Sequence, residues 1–337
     1  MKKRILCVLL TLCLLLSACA NTTDKETSKN TEQEGKELEK TTFVLDWTPN
    51  TNHTGIYVAD KLGYFKEEGL ELEIVQPPED GAESLVAAGQ ADFGVSFQDT
   101  IASAYAQDEP MPITHIAALV QHNTSGIITL KDKNVNSPKD LEGLKYATWG
   151  LPVEQAILKN VVEKDGGDFS KIELIPSNIT DVITGLETNV DAVWIFYAWD
   201  GIAAKVMNKE TNYFAFKDIN PVFDYYTPTL VTSNSLIEEN PEKIKAFLRA
   251  CEKGYQYAID HPKEAGEILL EASPELDEKL VLSSQEYLAK EYIADAKSWG
   301  FIDANRWNTF YAWLYENKLI EKEIPDNFGF TNDYLPQ

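Results

Sequence analysis

The sequence predicts an α/β fold built from two strand-and-helix units in series and completed by a helical C-terminal segment. Three observations predict it. Short apolar runs alternate with amphipathic stretches between residues 42 and 130, and the same alternation restarts at residue 145. Beyond residue 232 helix-start signals such as Asn240-Pro241 and His261-Pro262 take over. Roughly 300 residues follow residue 40, enough for two compact lobes with cores of their own.

The chain opens with a charged region (Lys2, Lys3, Arg4), a twelve-residue apolar run from Ile5 to Leu16, and small residues. That is the layout of a secretory signal peptide, too short to span a membrane comfortably. Leu16-Ser17-Ala18-Cys19 resembles a bacterial lipobox, which implies cleavage before Cys19 and lipidation of it. Acyl chains would hold the protein at the extracytoplasmic face of the cell membrane without making it span. Residues 1–18 are thus read as signal peptide. Residues 19–40 are read as a lipid-anchored flexible tether, because they carry too few apolar residues to offset chain entropy.

Residues 42–45 (TFVL) read as a strand leading into the polar loop 46–55 (DWTPNTNHTG). Val58, Leu62 and Phe65 stand at i, i+4 and i+7 and predict one helix ended by Gly69. Residues 70–75 alternate apolar and acidic, as a half-buried strand does. A helix at 82–88, a strand at 92–96, a helix at 98–106 and strands at 113–120 and 126–130 complete the first unit. In the second unit, strands are expected at 145–149, 172–175 and 192–195, with helices at 152–164 and 181–186. The helix at 152–164 has Pro152 in its first turn. A strand at 229–232 precedes the helical segment, where Trp307, Phe310, Tyr311 and Leu314 form an apolar face. Alternating strands and helices indicate parallel pairing.

The formal charge of −24 is unsuited to nucleic acid and anionic lipid headgroups. Cys7 and Cys13 fall in the leader and Cys19 at the anchor, so Cys251 is left without an internal disulfide partner; a buried structural thiol is expected. Four histidines without paired spacing give no expectation of a metal. No nucleophile elbow, phosphate-binding loop or zinc-protease motif occurs.

In open parallel sheets ligands sit at the carboxyl ends of strands. Those ends here carry Asp46-Trp47, Ser96-Phe97-Gln98, Trp149-Gly150 and Tyr197-Ala198-Trp199-Asp200. The candidate ligand contacts are Asp46, Trp47, Asn50, His53, Tyr57, Ser96, Phe97, Trp149, Gly150, Tyr197, Trp199, Asp200 and Tyr226, with Asp99 beside them. Aromatic faces with carboxylates suit a flat, nitrogen-rich ring. No arginine lies between residues 41 and 248, which counts against sulfonate, nitrate or phosphate. Plainer roles stay open: His53 as a loop or capping partner, Trp199 and Asp200 as a solvated turn. Trp194, inside an apolar strand, reads as core.

Residues 45–55 (LDWTPNTNHTG) and 59–70 (ADKLGYFKEEGL) resemble the opening of the thiamine-pyrimidine family. That family includes binding proteins for formylaminopyrimidine and the fungal thiamine-pyrimidine synthase, with riboflavin, sulfonate, nitrate and taurine binders as more distant relatives. The likeness runs from about residue 41 to residue 240. It implies a type II periplasmic-binding-protein fold: lobe one from 41–129 and 230–337, lobe two from 130–229, joined by a hinge that closes on the ligand. The chain would cross near Leu130 and return near Thr229. The resemblance also implies a monomeric, cofactor-free substrate-binding lipoprotein of an ABC importer, taking up a thiamine-related pyrimidine such as formylaminopyrimidine or hydroxymethylpyrimidine. Permease and ATPase would be separate chains. Alternatives are a synthase-like enzyme, a binding protein for riboflavin or a sulfonate, and a surface adhesin or sensor. The synthase branch uses a lysine and, four residues later, a histidine; Ser96 and Thr100 stand there instead, and a serine forms no Schiff base. The branch's cysteine-rich motif is absent too, since the stretch before the return reads FDYYTPT at 223–229.

Overall fold

The computed structural model describes residues 37–79, 81–177 and 179–336. The expected signal peptide, the lipidation site Cys19 and most of the tether lie outside the described residues. The first strand begins at Glu39, so the folded part takes in the end of the stretch read as tether.

Among the described residues there are two five-stranded sheets. The first contains β1 (Glu39–Val44), β2 (Leu70–Val75), β3 (Phe93–Ser96), β4 (Ile113–Ala118) and, much later in the chain, β10 (Thr229–Ser233), in the order β2-β1-β3-β10-β4. The second contains β5 (Ser125–Leu130), β6 (Lys145–Thr148), β7 (Glu173–Pro176), β8 (Ala192–Phe196) and β9 (Thr211–Ala215), in the order β7-β6-β8-β5-β9. Pairing is mixed. β1 is parallel to β2 and β3, and β6 to β7 and β8, but β10 runs antiparallel to β3 and β4, and β5 antiparallel to β8 and β9.

Three expectations need correction. The chain changes sheets between β4 and β5, ahead of Ser125 rather than near Leu130, because β5 bonds to β8 and β9. The helix read through to Gly69 is two, Thr54–Lys61 and Tyr64–Glu67, broken where Gly63 takes φ +81°. Strand β9 carries little apolar alternation and escaped detection; every residue of it is only partly buried, as suits an edge strand.

The helix Pro241–Asp260 covers the first sheet. Phe247 is fully buried, with its ring 3.8 Å from Phe93, 5.4 Å from Phe65 and 5.9 Å from Phe43. The same helix meets Thr54–Lys61 backbone to backbone: a Cβ on Gly254 would stand 2.0 Å from the Gly55 carbonyl oxygen. Glycine at both positions lets the loop before residue 54 be held against the C-terminal helices. Cys251 is fully buried in this layer, and burial pushes its thiol up. No helix among the described residues is long and apolar enough to cross a membrane.

The two passages between sheets are tied together. Asn123 donates its backbone N–H to Asp224 Oδ1 at 2.9 Å and its side-chain amide to the Phe223 carbonyl at 2.8 Å. His122 Nδ1 stands 2.7 Å from Asp224 Oδ2 and Nε2 2.9 Å from Asp295 Oδ1. Only the doubly protonated ring donates to both carboxylates. The bond to Asp224 accordingly raises the His122 pKa; the nearby Arg306 cation opposes it, and Arg306 also bonds the Gln121 carbonyl.

Replacing Phe247 with Ala is expected to cost roughly 3–5 kcal/mol in urea unfolding; a loss below about 1 kcal/mol would show that this stack does not hold the helix to the sheet. His122 carries a folded pKa above its unfolded value of about 6.5, so its contribution is complete below that pH and disappears as pH rises through the folded value. The gap in melting temperature between wild type and His122→Gln should therefore be wider at acid than at alkaline pH. A gap independent of pH would contradict the charged-imidazole assignment.

Candidate functional site

The carboxyl end of β1 delivers the loop that builds one wall. His53 is fully buried and its Nδ1 accepts the Asn50 backbone N–H at 3.2 Å. The ring's proton therefore sits on Nε2, which donates to Asp46 Oδ1 at 2.6 Å. Asn50 caps the short turn Thr51–His53: its Oδ1 accepts from Asn52 N and its Nδ2 donates to the Thr48 carbonyl. Tyr255 donates to the Asn52 carbonyl at 2.7 Å and Tyr292 to the Thr51 carbonyl at 2.6 Å. With its polar groups fixed in this way, the loop leaves the Trp47 indole 52% exposed.

A cavity of about 280 Å³ opens beside that indole. Asp46, Trp47, Asn50, Asn52, Phe97 and Pro228 line it from the first sheet and its adjoining chain; Phe196, Trp199 and Asp200 line it from the end of β8. The five residues Tyr197–Gly201 form a π-type turn, an irregularity frequent at functional sites. Burial raises the Asp200 carboxyl to about 6, against backbone hydrogen bonds that pull it down.

A second cavity, of about 240 Å³, lies between the helix Gln98–Tyr105 and the start of the helix Pro152–Lys164. Its lining is Asp99, Thr100 and Ser103 on one side, and Trp149, Leu151, Pro152, Val153, Glu154 and Trp194 on the other. The Trp149 and Trp194 rings stand 5.7 Å apart. Burial raises Asp99 to about 6, while Tyr225 donates to its Oδ2 at 3.2 Å and lowers it. Burial also raises Glu154; its Oε2 accepts from Thr148 Oγ1 at 2.8 Å and Trp149 N at 3.0 Å. Neither cavity is lined by Lys or Arg among the described residues. Such walls favour a ligand that donates hydrogen bonds and offers a flat apolar face.

The structure divides the sequence candidates. Asp46, Trp47, Asn50, Phe97, Trp199 and Asp200 meet at the first cavity, and Trp149 at the second. The rest stand elsewhere. His53 lies behind Asp46 and orients it. Tyr57 faces away, its hydroxyl engaging Ser273 near Glu275. Ser96 is fully buried and donates to Glu83 Oε1 at 2.8 Å. Gly150 is exposed with φ +77°, turning the chain after Trp149. Tyr197 packs on Tyr213 at 4.7 Å and Tyr287 at 5.4 Å. Tyr226 is buried under the Arg306 guanidinium, 4.7 Å from its ring, and accepts the Asp303 N–H; its neighbour Tyr225 is the one that reaches Asp99. Sequence reasoning missed Phe196, Asn52 and Pro228 in the first cavity; Trp194, read as core, is buried in a core cluster and also edges the second cavity. The signal for Phe196 and Trp194 was available: they stand two apart on β8 and so share a face.

A family described as NMT1/THI5 like matches residues 50–265. The formylaminopyrimidine-binding protein of Halalkalibacterium halodurans is 30% identical over 317 residues, covering 90% of this chain and 93% of that protein. The 4-amino-5-hydroxymethyl-2-methylpyrimidine phosphate synthase of Legionella pneumophila is 26% identical, over 88% of this chain and 92% of its own length. Among solved structures, the alkanesulfonate-binding protein SsuA of Xanthomonas axonopodis pv. citri, bound to MOPS, superposes with a TM-score of 0.66 at 12% identity, covering 88% of this chain and 99% of that one. The aliphatic sulphonate binding protein SsuA of Escherichia coli gives 0.66 at 16% identity, over 85% and 90%. These superpositions carry the fold alone. The fold is that of type II periplasmic binding proteins.

Because Trp47 is half exposed and makes its contacts at the cavity mouth, Trp47→Ala should change unfolding free energy by no more than about 0.5 kcal/mol. A loss of several kcal/mol in chemical denaturation would assign the indole to the core instead.

Proposed function

The chain belongs to the NMT1/THI5-like family, and on that premise we propose that it is the extracytoplasmic substrate-binding lipoprotein of an ABC importer, carrying a thiamine-related pyrimidine to a separate permease and ATPase. The observation that carries this reading is the first cavity: a Trp47 face, the Asp46 and Asp200 carboxylates and no cationic side chain, at the strand ends between the two sheets. A flat aminopyrimidine stacks on the indole and gives its N–H groups to the carboxylates. The printed name of the Halalkalibacterium halodurans relative points to the same ligand class. Anchoring through Cys19 would keep the protein at the membrane while the two lobes open and close around the ligand. The lobes of this reading are the two sheets with their helices, and the tied passages at His122–Asn123 and Asp224 make the hinge.

The enzyme reading has less support. Ser96 offers no amine and is buried against Glu83, and Thr100 offers no imidazole. Binding and release of an unchanged molecule suit these side chains better than Schiff-base chemistry does.

Thermal melts with formylaminopyrimidine, hydroxymethylpyrimidine, riboflavin and an alkanesulfonate test the assignment. A pyrimidine at a hundred times its Kd should add about 2.7 kcal/mol, a shift of several degrees, and Trp47→Ala should remove it. A shift given only by riboflavin or the sulfonate would overturn the ligand; conversion of the pyrimidine into a new product would overturn the transport role. Asp200 accepts best when ionised, so affinity should fall as pH drops through about 6, and Asp200→Asn should flatten that dependence. An unchanged pH profile in the variant would remove Asp200 from the contact.

A further inference from the structure

Ser284 stands where the C-terminal segment meets both walls of the first cavity. It is fully buried on the helix Glu278–Leu288. Its Oγ donates to the Ala198 carbonyl in the π-type turn, and stands 2.6 Å from Thr51 Oγ1 in the loop after β1. A carbonyl only accepts, so the single Ser284 hydroxyl proton goes to Ala198 and Thr51 donates to Ser284. The result is a directed chain from the Thr51 hydroxyl through the Ser284 hydroxyl to the Ala198 carbonyl, and all three residues are buried. Bonds in such a chain polarise one another and are strongest away from water.

Both ends of the chain adjoin the cavity lining. Thr51 lies between Asn50 and Asn52, and Ala198 directly precedes Trp199 and Asp200; all four neighbours line the first cavity. Packing repeats the link. Tyr287, one helical turn beyond Ser284, meets the Tyr197 ring at 5.4 Å. The same helix packs on Ile202–Val206, which follows the π-type turn. Ala198 comes after β8 of the second sheet, yet it is buried in the apolar cluster that holds Phe43, Ile56 and Tyr255 against the first.

We propose that Ser284 is a positioning residue for the first cavity: its hydroxyl ties the Thr51 loop to the turn at Ala198 and so fixes Trp199 and Asp200 relative to Asp46 and Trp47. Its effect on binding rests on the reading of the first cavity as the ring site. Ser284 is not part of the cavity lining, so it acts through the residues it ties. A hydroxyl suits the place because it donates and accepts at once, which a thiol does weakly and a methyl group not at all. Without it, Thr51 keeps a buried donor and Ala198 a buried acceptor with no group between them. The two walls come from different sheets and then settle independently, and a flat ring that touches both loses contact with one.

Two measurements on the purified protein test this. In calorimetric titration with hydroxymethylpyrimidine, Ser284→Ala should weaken binding roughly tenfold and the near-isosteric Thr51→Val about threefold. The double variant should bind no worse than Ser284→Ala, because the Thr51 hydroxyl has lost its acceptor already. Losses that add, or a Ser284→Ala affinity within about twofold of wild type, would leave Ser284 a packing residue and overturn the proposal. If Ser284→Ala does not fold, Ser284→Cys, close in shape and a much weaker donor, takes its place with the same expectations. The second measurement needs no ligand: fluorine NMR of protein labelled with fluorotryptophan, the Trp199 line identified by Trp199→Phe. Thr51→Val should shift that line when Ser284 is present and leave it in place in the Ser284→Ala background. A Trp199 line indifferent to Thr51→Val would break the link between the walls. Failure of the wild type to bind either formylaminopyrimidine or hydroxymethylpyrimidine would overturn the ring site, and the NMR result alone would then decide the role of Ser284.

Discussion

The hydrogen bond from His53 to Asp46 sets the geometry of the first wall, and much else is arranged to make it possible. Burying an imidazole costs least when both of its nitrogens are hydrogen-bonded, as those of His53 are. The Asn50 backbone takes one of them, which forces the proton onto the other and aims it at Asp46. The loop must then be held still. Tyr255 bonds one of its carbonyls from the helix Pro241–Asp260 and Tyr292 another from the turn after the helix Glu278–Leu288, and Gly55 and Gly254 allow the first of these helices to approach closely enough to do so. Asp46 and Trp47 are thus presented to the first cavity by a loop whose carbonyls are held, which under the proposed function leaves it little conformational freedom to lose when a ring stacks there.

The opposite wall follows a different logic. Trp199 and Asp200 come from a π-type turn and Trp149 from the turn after β6, neither braced by a buried histidine. Here burial works on the carboxyl directly and lifts Asp200 to about 6, against its backbone hydrogen bonds. The absence of arginine and lysine from both linings separates this cleft chemically from one suited to a bare anion, even though the same backbone arrangement superposes on sulfonate-binding proteins.

Local sequence signals were enough for most elements. The alternation in residues 70–75 places β2, and the proline at 152 marks its helix at the residue where it starts. Where the reading erred, a tertiary effect had overridden the local one. β9 shows no clear alternation because an edge strand with both faces partly open has no strong reason to alternate. β5 looked like the close of the first unit because sequence order says nothing about which sheet a strand joins; its partners are β8, some seventy residues on, and β9. The antiparallel direction of β5 and β10 was hidden for the same reason.

The sequence by itself determined the α/β class, the strand ends where chemistry collects, the arginine-poor character of the cleft and the family resemblance in the loop at 45–55. These depend on residue type and on spacing along the chain. The tertiary structure alone decided which of those residues share a cavity. Ser96, Tyr197 and Tyr226 stand at the right strand ends or in the right loops, and Tyr57 on the helix after one of them, and yet they turn toward the interior or a neighbouring element. Phe196 lines the first cavity instead, while Trp194 stays buried at the edge of the second. The physical reason is that the direction of a side chain is fixed by the pleat and by what packs against it, and those partners are set by the fold: Ser273 for Tyr57, Tyr287 for Tyr197, and Asp303 with Arg306 for Tyr226.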